Sequence, residues 1–158
     1  MKPAVAALIG IALFGAVAAR AQQADKPAPP PPAPPEAEAG GPGLGEIMTL
    51  QQLRHIKLWF AGRARNWPLA DYELGELNEG FENVGKLLGG DIIDKNVGAA
   101  MKDLQKIVDD NNAAGFAAAY DRLSAGCNTC HRTLDHAFIA IQRPTVLPYS
   151  DQNFAPQK

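Results

Sequence analysis

The sequence predicts an all-α protein folded as an antiparallel up-down bundle of four helices. Three observations carry that expectation. Between Leu44 and Arg143 apolar residues recur at helical spacing, and nowhere do they alternate with the period of two that marks a strand. Proline, glycine and a run of Asp and Asn divide this region into four long stretches. The links between them are only a few residues long, and short links favour antiparallel neighbours.

Two segments precede the bundle. Residues 1–21 read as a signal peptide: Lys2 is the positive start, Ala4 to Ala19 an apolar run, and Ala19-Arg20-Ala21 a cleavage site. The run is shorter than the ~20 residues that span a bilayer comfortably. Cleavage is therefore expected over a retained membrane tether. Residues 22–43 form a linker in which Pro27 to Pro35 holds seven prolines in nine positions, a composition that favours extended polyproline II. It acts either as a spacer holding the domain away from a membrane or partner, or as a solvated tail.

The first helix is expected from Glu46 to Arg65, apolar on most sides, and stops at Asn66-Trp67-Pro68 because a residue before proline avoids the helical region. Pro68 then opens the second helix. Leu69, Tyr72, Leu77, Phe81, Val84 and Leu88 are its stripe, and Gly89-Gly90 its end. The third starts at Asp91 or Asp94, either of which can cap it, and buries Val97, Met101, Leu104 and Val108. After Asp109-Asp110-Asn111-Asn112 the fourth helix starts at Ala113. It places Phe116, Tyr120, Leu123, Cys127, Cys130, Leu134, Phe138 and Ile141 on one side and ends at Arg143-Pro144. Residues 144–158 form a C-terminal tail too apolar to leave in water, through Val146, Leu147, Tyr149 and Phe154. This tail is expected to pack back on the bundle.

The chemistry is announced by Cys127-Asn128-Thr129-Cys130-His131. Cys-x-x-Cys-His is the attachment pattern of c-type haem. Thiols three residues apart lie one above the other on a helix, which suits two thioether bonds along one edge of a porphyrin. His131 then falls under the iron as an axial imidazole. These are the only two cysteines in the chain. A redox dithiol shares the spacing, but such motifs usually open a helix after a strand, and no strand is expected here. A structural zinc site needs about four ligands, and the remaining histidines are not spaced to complete one.

With this motif on the last of four helices, the chain resembles the cytochrome c prime family of exported four-helix-bundle cytochromes. The match is closest where Phe116-Ala117-Ala118-Ala119-Tyr120 leads through Leu123 and Gly126 into Cys127. It spans residues 46–142 in architecture and 116–131 in detail. It implies one covalent haem c on Cys127 and Cys130, with His131 as the proximal ligand. Leu134-Asp135 stands where the family usually carries an aromatic and then a basic residue, and a fourth helix reaching Ile141 exceeds the family norm.

The other side of the iron decides the function. The family includes proteins with no sixth ligand and relatives with a methionine from the first helix. Here that helix offers Met48 and His55, seven residues apart and so on nearly one face. Gly62 leaves room on that face for a flat ring, and Leu58 and Trp59 flank it. If Arg143 stands level with Glu46, His131 lies ~18 Å up the bundle at 1.5 Å per residue, near Leu58. On that ruler His55 is the candidate distal ligand, Met48 is too distant to ligate, and Met48, Leu58 and Trp59 are candidate pocket residues. An empty or water-filled site is the other outcome. Met101 reads as core filler, His136 as solvated, and Trp59, Trp67 and Tyr72 as packing. Arg54, Arg63, Arg132 and Arg143 are candidates to pair with haem propionates.

The leading expectation is a periplasmic cytochrome passing single electrons between periplasmic or membrane redox proteins. No acid–base or nucleophile–base constellation suggests an enzyme. The alternatives are a five-coordinate haem protein binding nitric oxide or carbon monoxide, and a non-haem Cys-x-x-Cys module. Loss of Lys2 and Arg20 with the signal peptide lowers the net charge from −2 to −4. That balance argues against nucleic acid and anionic membrane surfaces. The broadly apolar first helix is compatible with a homodimer.

Overall fold

The computed structural model describes residues 41–89 and 91–157. The expected signal peptide and nearly all of the expected linker lie outside the described residues. The described chain is all-helical, with no strand: α1 (Leu44–Arg63), α2 (Trp67–Leu88), α3 (Ala99–Asp109) and α4 (Ala113–Thr133). A π-helical turn over Asp94–Gly98 leads into α3. None of these helices is long and apolar enough to cross a membrane.

Short polar side chains set most helix starts. The Glu46 carboxylate reaches back to accept from the Gly43 N–H at 3.1 Å, satisfying a donor that the first turn leaves without a partner. Asn66 caps α2, its Oδ1 accepting from the Leu69 N–H at 3.3 Å. Asn112 does the same for α4 with the Gly115 N–H at 3.0 Å. Gly89 ends α2 at φ 71°, a conformation glycine takes without a Cβ penalty. Neither Asp91 nor Asp94 caps the third stretch by its side chain. Asp91 is paired instead with Lys95.

The buried faces follow the helical period. α1 buries Ile47, Gln51, His55, Leu58 and Ala61, and α2 buries Ala70, Leu74, Leu77, Phe81 and Val84. Tyr72, expected in the α2 stripe, is 59% exposed. It stands five residues from Leu77, about 140° round the helix at 3.6 residues per turn. Leu104 and Val108 of α3 and Phe116, Tyr120 and Leu123 of α4 complete the core, with Met101 packed against it.

Polar links tie α1 to α2. Gln51 Nε2 donates to the Leu77 carbonyl at 2.7 Å, Arg54 pairs with Glu76 at 2.7 Å, and Lys57 pairs with the buried Glu73. Burial pushes the Glu73 carboxyl above its usual range, and Lys57 pulls it back.

The largest departure from expectation is the end of α4, which stops at Thr133 rather than running to Ile141. Asp135 takes φ 60°, the left-handed region that Asp tolerates better than most side chains. The chain then turns back. The His136 N–H donates to the His131 carbonyl at 2.7 Å, and the Ile139 N–H to the His136 carbonyl at 2.9 Å. Arg143 Nε meets Asp121 Oδ1 at 2.6 Å. Phe138, expected on the buried side of a longer helix, is 81% exposed.

The tail returns to the molecule, at the turn between α1 and α2. Phe154 is buried against Phe60, with ring centroids 5.9 Å apart. Asn66, which already caps α2, donates from Nδ2 to the Phe154 and Ala155 carbonyls at 3.3 and 3.2 Å. Val146, Leu147 and Tyr149 stay exposed.

Candidate functional site

A largely apolar cavity of about 330 Å³ lies between the first half of α1, the last half of α2, the π-turn and the last turns of α4. Its size falls in the range of ~300–1,000 Å³ typical of ligand sites. Leu77, Phe81 and Val84 form one wall, Val97 another, and the returning segment supplies Leu134, His136, Ile139 and Ile141. Cys127, Cys130 and His131 all face this space, as do Met48 and His55.

Gly126 allows α4 to sit close to the π-turn. A Cβ at that position would stand 2.5 Å from the Asn96 carbonyl oxygen. The glycine directly before Cys127 therefore fixes how near the cysteine-bearing turn lies to its neighbour.

His131 is already oriented. Its Nδ1 lies 2.9 Å from the Ile139 carbonyl oxygen. A carbonyl can only accept, so Nδ1 carries a hydrogen, and in the neutral ring Nε2 is then the nitrogen with a lone pair. Both cysteines are free thiols. Burial pushes Cys127 up to about 12 and raises Cys130 as well. A thiol-exchange centre needs a depressed thiol, commonly at a helix N-terminus, and these two sit in the C-terminal half of α4.

His55 is buried with both nitrogens engaged. Ser124 Oγ–H donates to the Tyr120 carbonyl at 3.1 Å, so its oxygen is left to accept from His55 Nε2–H at 2.9 Å. Nδ1 is then the bare nitrogen and accepts from Tyr120 Oη–H at 2.8 Å. The same hydroxyl lies 2.9 Å from the His55 carbonyl oxygen, the other acceptor within its reach. Burial lowers the imidazole from 6.5 to about 4, so His55 is neutral at pH 7.

No family model, curated protein or solved structure matches this chain. The site is read from its own geometry. Among the described residues no three His, Cys, Asp or Glu side chains are placed to hold one metal ion between them. Cys127, Cys130 and His131 are instead spread along a wall, which suits attachment of a flat group.

Several expected site residues sit elsewhere. Leu58 is in the packed core and Trp59 packs on Phe116 and Tyr120, at centroid distances of 6.1 and 4.9 Å. Neither lines the cavity, because one more turn of α1 carries them past its floor. The space over Gly62 is filled by the Phe116 ring, with which any Cβ there would collide. Arg143 lies beside Asp121 and over Trp59, 5.0 Å from its ring centroid. It is not level with Glu46, so the ruler that set Met48 aside does not hold.

None of the four arginines lines the cavity, although Arg54 bonds Gln51, which does. Arg54 bonds Glu76 and Gln51, Arg63 lies over Trp59, Arg132 bonds Thr129, and Arg143 bonds Asp121. His136, expected to be solvated, is half-buried in the cavity wall because the chain reverses just before it. Asn128, inside the attachment motif, bonds Ile141 through both ends of its carboxamide. The only signal of this in the sequence is faint: Asn is a poor residue for a helix interior unless its side chain has a partner to bond.

Proposed function

We propose that this chain is a mono-haem c-type cytochrome, exported to the periplasm, that carries single electrons between redox proteins there or in the membrane. Cys127 and Cys130 would hold the haem through their sulfurs, and His131 would offer its imidazole to the iron. The observation that carries this reading is that two cysteines at attachment spacing and an imidazole with a bare Nε2 face one apolar cavity. The raised thiols weigh against a dithiol exchanger.

We read the helices as an antiparallel up-down bundle, and the order of their contacts supports this. Going back along α1 from Lys57 through Arg54 to Gln51, the α2 partners advance from Glu73 through Glu76 to Leu77. Going back from Gly62 through Trp59 to His55, the α4 partners advance from Phe116 through Tyr120 to Ser124.

The same order supports a different distal ligand. Seven residues beyond Ser124 is His131, and seven before His55 is Met48; each displacement is ~10 Å. Met48, half-buried in the cavity wall, thus stands level with His131. His55 lies two turns deeper with no nitrogen to spare. We therefore assign the sixth position to Met48, and to His55, Tyr120 and Ser124 the role of a closed polar floor. A bound haem supplies a one-electron iron couple, and a methionine–histidine pair sets it higher than two histidines would. The apolar walls would limit water around a bound haem, and the Ile139 carbonyl holds the His131 ring in place.

Optical and electron-spin spectra test the assignment. Protein exported from cells competent in haem ligation should carry one covalent haem, low-spin in both oxidation states. Met48→Ala should turn the ferrous form high-spin and reactive with carbon monoxide, whereas His55→Ala should leave the spin state unchanged. A colourless wild-type protein would overturn the reading. A wild-type spectrum that already shifts with carbon monoxide would make this a gas-binding protein instead.

A further inference from the structure

We infer that Asn128 is a positioning residue for His131, acting through the chain that returns beyond α4. The inference rests on the haem reading above and names a residue inside the attachment motif whose polar atoms both bond the returning chain. Asn128 Nδ2 donates to the Ile141 carbonyl at 2.8 Å, and Asn128 Oδ1 accepts from the Ile141 N–H at 2.7 Å. One carboxamide thus pairs with both polar groups of one residue, as a neighbouring strand would. Both bonds are partly shielded from water and join positions thirteen residues apart.

Two residues before this clamp, the Ile139 carbonyl accepts from His131 Nδ1. The carbonyl belongs to an exposed stretch: Phe138 is 81% and Ile139 42% exposed. Little apolar burial holds it there. Between Thr133 and Ile141 the short-range bonds His136 N–H to His131 and Ile139 N–H to His136 shape a turn but do not fix its far end. The Asn128 clamp fixes it at Ile141, nearer to the Ile139 carbonyl in sequence than the Arg143–Asp121 pair two residues further on. An acceptor on the remote nitrogen of a metal-bound histidine fixes its tautomer and ring plane and raises its basicity. A more basic axial ligand stabilises the oxidised iron and lowers the reduction potential. Asn128 is thereby placed to tune the potential from one helical turn away, by holding a carbonyl it does not own.

The experiment compares wild-type holoprotein with Asn128→Ala and Asn128→Leu, which both remove the clamp, and with Arg143→Ala, which frees the chain two residues beyond it. Haem attachment, read from the denatured protein's spectrum, should be intact in all. The reduction potential should rise in both Asn128 variants, and amide exchange should accelerate at Ile139, whereas Arg143→Ala should leave both unchanged. A haem-bearing Asn128→Ala protein with unchanged potential overturns this inference alone, as does an equal shift in Arg143→Ala. Absence of haem from the wild type overturns the parent reading too.

Discussion

The two ends of this helical domain are built on opposite terms. At one, around the α1–α2 turn, Trp59, Phe60, Trp67, Phe116 and Phe154 meet in tilted or edge-on pairs with centroids 5.9 to 6.1 Å apart. That is the range in which aromatic pairs attract. At the other end, Leu77, Phe81, Val84 and Val97 are equally apolar yet enclose about 330 Å³ of space. The difference is not one of hydrophobicity. The first end is filled by the chain's own side chains, including a tail that travels back to plug it; the second keeps its space unfilled by them. Cys127, Cys130 and His131 line that second space.

Matched truncations give the sharpest contrast. Phe116→Ala should destabilise the protein by about 3–5 kcal/mol, since its neighbours cannot collapse into the gap. Phe81→Ala in a haem-free Cys127→Ala/Cys130→Ala chain should lose much less, roughly 1–2 kcal/mol, because one side of that ring already borders the cavity. Haem attachment should bring the two costs together. Urea unfolding measures both, and equal costs in the haem-free chain would break the contrast.

Acid probes the boundary between the ends. Burial holds His55 at about 4 against an ordinary 6.5. Below pH 6.5 the unfolded chain takes up a proton that the folded chain refuses until about pH 4. Stability from this group is therefore complete above 6.5 and falls as the pH drops through that window, by roughly 3 kcal/mol in all. In the haem-free chain, His55→Gln should flatten the stability profile between pH 7 and pH 4. A profile that keeps its full slope would put the effect on other groups.

The smallest effects come from glycines. Gly62→Ala drives a methyl into the Phe116 ring and should cost about 1–3 kcal/mol. Gly75 sits exposed on α2, where an added methyl would meet nothing within 4 Å, so Gly75→Ala should stabilise by roughly 0.5–1 kcal/mol. Thermal melts of the two variants should move in opposite directions.

What could be read from the sequence was whatever local chemistry dictates. Pro68 opens α2 within its first turn, Gly89 stops it, and the Val97–Leu104–Val108 edge is a buried face, because each depends on neighbours a turn away. Cys127, Cys130 and His131 share a cavity because their spacing on one helix leaves them little choice. The end of α4 was hidden, since its stop is a left-handed Asp135 with no glycine or proline before Pro144. That one miss misplaced Phe138 and His136 and inverted the ruler used for Met48 and His55. Leu58 and Trp59 were misassigned for another reason: which turn of α1 meets which turn of α4 is a tertiary fact, fixed by pairs such as His55 with Ser124.

Gly126 has a consequence for what the cavity can admit. Because α4 rests almost directly on the Asn96 carbonyl, the separation of those two walls is gauged by a single hydrogen atom. Even alanine would act as a shim there, prising the cysteine-bearing turn away from the π-turn and moving the sulfurs relative to Val97 and Phe81. The tolerance of the slot for a thin, rigid guest is thus set by the smallest side chain in the alphabet, one peptide bond before Cys127.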